Sequence, residues 1–211
     1  VEADVRAFHE SFNPLDDQAS FGLPDPVESK KLDGMRGSIA RHMKQSLSST
    51  AQLSFFLEID VTEAQKLRRE LKIGLPILLM KASSEAIKRV PKINSVIQNN
   101  QVSYFDQIDI GFAVALDDGL IVPVIRSVQE MSVSDISSNV ETLTRMSREG
   151  TLSTDDVVGG TFTISVLGVV DGFTPILNSG QSALLGIGRS VEKPIVKNKE
   201  IVIREMMTIS L

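Results

Sequence analysis

Two apolar runs in the middle of the chain, Ile110–Leu116 and Leu120–Ile125, flank Asp117-Asp118-Gly119. Asp and Gly tolerate the positive φ of a tight turn, so this spacing predicts an antiparallel hairpin. A hairpin at that point rules out a regular winding of parallel strands and crossover helices.

The elements around the hairpin are of both kinds. Met35, Ile39, Met43 and Leu47 recur every four residues opposite Arg36, Arg41 and Lys44, the pattern of an amphipathic helix. Leu53–Ile59 reads as a strand. In Asp60-Val-Thr-Glu63 a capping residue is followed three positions later by Glu, and the helix that opens there is expected to carry Leu67 and Leu71 inward. Pro76 suits the first turn of a mostly apolar helix over Ile77–Val90, which Pro91 ends. Ile136, Val140 and Leu143 mark a further helix capped by Ser132 or Ser134. Strands are expected at Thr161–Leu167, Ala183–Ile187, Pro194–Val196 and Ile201–Leu211, with Lys197-Asn198-Lys199-Glu200 as a turn. Elements interspersed in this way give an α/β two-layer sandwich with a mixed sheet. Before all of them lies a Pro/Gly/Asp-rich stretch containing Asn13-Pro14 and Pro24-Asp25-Pro26, which opposes regular structure. Residues 9–30 therefore read as a linker, residues 31–211 as the main domain, and Val1–Phe8 as two possible helical turns.

Charge and composition exclude several functions. The net charge of −5 comes without a Lys/Arg cluster, which leaves no electrostatic footprint for nucleic acid. No apolar run approaches the ~20 residues of a membrane span. The chain has no cysteine, hence no disulfide framework, thiolate nucleophile or Cys-based metal site, as fits an intracellular protein.

A self-contained active site is not legible either. His9 and His42 read as solvated or structural, and no Gly-x-Ser-x-Gly elbow accompanies them. Asp16-Asp17, Asp117-Asp118 and Asp155-Asp156 sit in turn or linker contexts, where solvated carboxylates are the simpler reading than acid/base pairs or a metal site. Gly186-Ile-Gly188 lacks the third glycine of a dinucleotide fingerprint, and Gly159-Gly160 lacks the lysine of a phosphate loop.

Read in order, however, Arg36-Gly-Ser-Ile-Ala-Arg-His-Met43, Glu58-Ile-Asp-Val-Thr-Glu63, Gly119-Leu-Ile-Val-Pro-Val-Ile-Arg126, Gly159-Gly-Thr-Phe-Thr-Ile-Ser165 and Phe173-Thr-Pro-Ile-Leu-Asn178 resemble the dihydrolipoamide acyltransferases of 2-oxoacid dehydrogenase complexes. The resemblance spans Lys31–Leu211, and Val1–Phe8 resembles the end of the peripheral-subunit-binding domain that precedes this core in the family. It implies a fold like chloramphenicol acetyltransferase, a homotrimer assembling into a larger hollow core, and partnership with the 2-oxoacid decarboxylase and dihydrolipoamide dehydrogenase components. The implied location is the bacterial or archaeal cytoplasm or the mitochondrial matrix.

The implied reaction moves an acyl group, acetyl by default, between a dihydrolipoyl arm and coenzyme A. In the family a histidine of one subunit deprotonates the attacking thiol while a serine of its neighbour hydrogen-bonds the tetrahedral oxyanion. That serine maps to Ser165, where a hydroxyl meets charge that exists only in the transition state. Coenzyme A contacts map to Arg68, Ala115, Thr144, Ser165, Val166, Gly188 and Ser190; no metal is implied. Val166 stands where the family often has asparagine, Ala115 where it can have an acidic residue, and the stretch between Leu71 and Pro76 is short. A non-catalytic scaffold subunit of such a complex is the alternative, and an unrelated small-molecule acetyltransferase of the same fold is a third. Met206–Leu211 is strand-like to its last residue, so the histidine motif, Asp-His-Arg-x-x-x-Gly, is expected shortly beyond Leu211. Sequencing the gene past that codon tests this, and a stop codon there would refute it.

Overall fold

The computed structural model describes residues 24–117 and 119–211; the expected helical turns at 1–8 and residues 9–23 of the linker lie outside the described residues. The chain divides after Leu32. Residues 24–32 contain no helix or strand, as X-Pro and Pro-X steps dictate.

From Asp33 onward the elements are α1 (Gly34–Ser49), β1 (Phe56–Asp60), α2 (Thr62–Leu71), α3 (Leu75–Arg89), β2 (Ser95–Gln98), β3 (Gln101–Tyr104), β4 (Ile110–Phe112), β5 (Val114–Leu116), β6 (Gly119–Ile121), β7 (Val124–Ile125), α4 (Val133–Glu149), β8 (Phe162–Val166), β9 (Leu184–Lys197) and β10 (Glu200–Ser210). Six strands form one sheet in the order β1-β10-β9-β8-β4-β7. Strand β8 runs parallel to both neighbours, β4 and β9, and the other pairings are antiparallel. The fold is thus a mixed α/β sandwich, as the interspersed elements require.

The predicted central hairpin forms but divides in two. Ile110 and Gly111 pair with Ile125 and Val124 inside the main sheet, while Val114–Leu116 pairs with Gly119–Ile121 as a separate ribbon. Pro123 lies between the two pieces and cannot donate to a ladder. The expected strands at 183–187 and 194–196 are one continuous strand, β9, joined to β10 by Asn198 and Lys199, both at positive φ. This hairpin outruns β1, whose pairing covers only Met206–Ser210 of β10. Glu192–Lys197 and Glu200–Glu205 therefore project as a two-stranded ribbon.

Two helix expectations need correction. Helix α2 turns Gln65, not Leu67 or Leu71, into the protein; the two leucines are 45% and 48% exposed. Nor does a capping box open it: Asp60 instead accepts from the Thr62 N–H (3.0 Å) and hydroxyl (2.6 Å) and from Arg204 (2.8 Å). These donors hold the Asp60 carboxyl far below the usual carboxylate range, the Thr62 hydroxyl contributing most. Helix α4 does begin on a capping box, between Ser132 and Asp135.

The core gathers Ile77, Met80 and Ile87 of α3, Ile136 and Leu143 of α4, and Ile110, Phe112, Phe162, Ile164, Ile187 and Met207 of the sheet. Helices α3 and α4 thus cover the face of β8 that carries Phe162 and Ile164. At the mouth of β4, buried Asp109 accepts from Ser127 N–H (2.8 Å), Gln107 and Arg126 (3.1 Å), while Arg126 also donates to the carbonyls of Asp155 (2.8 Å) and Val158 (2.6 Å). This clamp fixes the approach to β8. Asp109→Ala leaves the half-buried Ser127 N–H without its acceptor and removes one of the three Arg126 contacts; it is expected to cost roughly 2 kcal/mol and to lower Tm by about 4–8 °C, as measured by calorimetry.

Candidate functional site

Ser165 is the fourth residue of β8, paired in register with Gly186 of β9. Strand alternation puts it on the same face as Thr163 and opposite Phe162, Ile164 and Val166. On that face lies a recess of about 400 Å³. Its walls are Ile39, His42 and Met43 of α1, Leu120 and Val122, and the segment Phe173–Asn178. Among the described residues, the Ser165 hydroxyl has no hydrogen-bond partner. It is therefore free to donate into the recess.

The recess owes its shape to two glycines. A Cβ on Gly186 would collide with the Ser210 hydroxyl and press on Pro175 and Phe173, so glycine lets the 173–175 wall lie against β9. A Cβ on Gly188 would collide with the Asp171 carbonyl, to which the loop after β8 is drawn by Arg189 N–H donating to Val170 O (2.8 Å). Gly188 was expected among the coenzyme A contacts; in this chain the side that a Cβ would occupy is filled by the Asp171 backbone.

The other positions expected to contact coenzyme A fall into two further groups. Ala115, Thr144 and Val166 share a second recess of about 310 Å³, between α3, α4 and the end of β8. Arg148, one turn after Thr144, lines it too. Arg68 and Ser190 are joined through buried Gln65, which accepts from Arg68 Nε and donates to Ser190 Oγ (2.7 Å). Within a single chain, then, Ser165 and Val166 open into different recesses because adjacent strand residues face opposite ways.

His42 is the residue that sequence reasoning passed over. Exposed on α1 one turn from Ile39, it lines the Ser165 recess. Its helical spacing was visible, but nothing in the sequence shows that α1 borders the Thr163–Ser165 face of β8. Asn178 was visible only as the last residue of the Phe173–Asn178 phrase. Among the described residues no group of three or more His, Cys, Asp or Glu could hold a metal, and no helix is long and apolar enough to cross a membrane.

Comparison with known proteins places this geometry in a family. The model for the catalytic domain of 2-oxoacid dehydrogenase acyltransferases matches residues 24–211. The chain belongs to that acyltransferase family. It is 37% identical over 193 residues to the dihydrolipoyllysine-residue succinyltransferase component of the 2-oxoglutarate dehydrogenase complex from Saccharomyces cerevisiae, covering 86% of this chain and 42% of that protein. The corresponding component from Rickettsia typhi is 38% identical over 193 residues, again covering 86% of this chain and 48% of that protein. The chain therefore spans less than half the length of these relatives. Among solved structures, the dihydrolipoamide acetyltransferase of Azotobacter vinelandii superposes with a TM-score of 0.81 at 30% identity, covering 92% of this chain and 84% of that one. A chloramphenicol acetyltransferase at TM-score 0.51 and 17% identity, covering 80% and 83%, shares the fold.

Proposed function

We propose that this chain is the catalytic core of an enzyme that transfers an acyl group between a protein-bound dihydrolipoyl arm and coenzyme A. The observation that carries the proposal is the unpartnered Ser165 hydroxyl at the end of β8, facing a recess walled largely by apolar side chains. A donor held there is poised for the oxyanion of a tetrahedral intermediate. A thioester rounding the end of β8 meets Ser165 on one face and Val166, Thr144 and Ala115 on the other, which reconciles the two recesses with one extended ligand. Arg68 and Ser190, coupled through Gln65, are proposed to meet the same ligand farther out. The thiol's base is proposed to be a histidine outside residues 1–211, brought in by a neighbouring subunit. Residues 31–211 form the core domain in this reading, residues 9–30 the linker, and residues 1–8 the end of a peripheral-subunit-binding domain.

The support for assembly is exposed apolar surface. Met35 and Leu47 of α1, and Val196, Ile201 and Ile203 on one face of the projecting ribbon, are left uncovered by the single chain. A homotrimer built into a larger core, serving a decarboxylase and a dihydrolipoamide dehydrogenase, gives these residues a partner.

The acyl group is proposed to be succinyl. The curated relatives favour it, and His42 places an imidazole N–H donor in the recess for a distal carboxylate. The acetyl expectation has only the apolar walls on its side. In the complete protein, His42→Ala should lower kcat/KM for succinyl-CoA by roughly tenfold, about the worth of one hydrogen bond to a carboxylate, with acetyl-CoA transfer little affected. Equal losses for the two donors would remove His42 from acyl recognition.

Ser165→Ala should lower kcat by about 10²–10³, or roughly 3–4 kcal/mol, with KM and Tm nearly constant. Steady-state transfer between coenzyme A and dihydrolipoamide, at matched oligomer size, measures it. More than half of wild-type kcat remaining would exclude Ser165 from the chemistry, and a wild type without any transfer would leave the scaffold reading standing.

A further inference from the structure

Beneath the recess runs a chain of side-chain hydrogen bonds that the proposed reaction does not use. It starts at the Gly160 carbonyl, which can only accept. Gln181 Nε2 donates to that oxygen (2.7 Å), so Gln181 Oε1 must face the other way, toward Thr163. The Thr163 hydroxyl donates to Oε1 (2.7 Å) and, its only proton spent, accepts from Asn178 Nδ2 (2.9 Å). The direction of every bond follows from the first acceptor, and both amide orientations are fixed with it. Thr163 is 1% exposed and Gln181 7% exposed, so water offers neither a replacement partner.

The placement of this chain matters more than its stability. Thr163 lies two residues before Ser165, on the same face of β8. Asn178 ends the wall segment Phe173–Asn178 that faces Ser165 across the recess. That wall contains no helix or strand, so its own backbone does not hold it in place. On its far side it is tied to buried Ser46 of α1, whose hydroxyl donates to Leu177 O (2.7 Å), and to Gln52, which accepts from Leu177 N–H (3.3 Å). On the sheet side it is tied at both ends: the Ser210 hydroxyl of β10 donates to Phe173 O (2.7 Å) at its start, and Thr163, beside Ser165, accepts from Asn178 at its close.

We propose that Thr163 is a positioning residue for acyl transfer, its hydroxyl setting the distance between the Phe173–Asn178 wall and the Ser165 hydroxyl through Asn178 and Gln181. The inference rests on the transfer reading. A wall displaced by about 1 Å misaligns a bound thioester, and misplacement of that order can cost up to ~10²-fold in rate. The loss is one of alignment rather than of anchorage, so it is expected in kcat.

The test compares Thr163→Val, which keeps the shape but not the hydroxyl, with Thr163→Ser, which restores it, and with Asn178→Ala, which cuts the chain at its half-buried end and leaves the Thr163–Gln181 bond intact. Thr163→Val and Asn178→Ala in the complete protein should lose at least about tenfold in kcat with little change in KM, and Thr163→Ser should stay within about twofold of wild type. Amide hydrogen exchange over 173–181 should speed up in Thr163→Val and Asn178→Ala while β9 and β10 keep wild-type protection. Unchanged exchange in that segment, or equal damage from Thr163→Ser and Thr163→Val, would overturn the proposal. So would a Tm loss with kcat intact, since that marks a purely structural threonine. A wild type that transfers no acyl group would sink the transfer reading and the catalytic part of this one, while the exchange contrast would still decide whether Thr163 holds the wall. Should Thr163→Val not fold, Asn178→Ala decides by the same two readouts.

Discussion

Everything at the site depends on β8 being an interior strand paired in parallel on both sides. Its ladder partners, β4 and β9, fix its height and tilt, and with no free edge it has no alternative register to slip into. The period-2 alternation of side chains then does the rest. Phe162 and Ile164 anchor one face in the core under α3 and α4, so Thr163 and Ser165 must face the other way. Moving the serine back one residue, to the place of Ile164, would bury its hydroxyl in the core, where an unpartnered polar group costs about 1–3 kcal/mol.

The surroundings of β8 are arranged to keep its ends in place. Asp109 and Arg126 secure the loop that enters it, with Gly159 at positive φ packed so closely on the guanidinium that a Cβ would meet it at 2.7 Å. The loop that leaves it is drawn against β9 by Arg189, Asp171 and the two glycines, Gly186 and Gly188. Polar side chains thus act where backbone ladders are absent: Thr163, Gln181, Asn178, Ser46 and Gln52 hold a segment that has no secondary structure of its own. Loops often carry binding sites on a rigid scaffold, and here side-chain hydrogen bonds supply the rigidity that a backbone ladder would give.

The same sheet leaves apolar surface uncovered. Phe56 and Leu57 of edge strand β1 are exposed on both of its faces, and the ribbon formed by the far halves of β9 and β10 turns Val196, Ile201 and Ile203 outward together. Long hydrophobic edges are usually blunted in single-chain proteins. Their survival here agrees with a chain that completes its burial against copies of itself, in line with the assembly proposed above.

Much of the fold was legible because it is written in local chemistry. Asp117 to Gly119 announced the turn, Pro76 and Pro91 bounded a helix, Ser132 with Asp135 opened another, and alternating residues marked β8 and β10. The phrase ending in Ser165 named its candidate oxyanion donor through family resemblance. What the sequence by itself could not determine was which faces meet. Leu67 and Leu71 have helical spacing, yet α2 presents Gln65 to the sheet because Ser190 and Arg68 offer its amide two hydrogen bonds there. His42 reads as a surface histidine on α1 and becomes a wall of the Ser165 recess only because the chain folds α1 across the Thr163 face of β8. Thr163, Asn178 and Gln181 are ordinary polar residues until parallel pairing with β9 brings them together. Turns, caps and alternation act within a few residues and so are visible in one dimension; side chains meeting across 15 to 18 residues of chain depend on loop closure and packing, which only the tertiary structure decides.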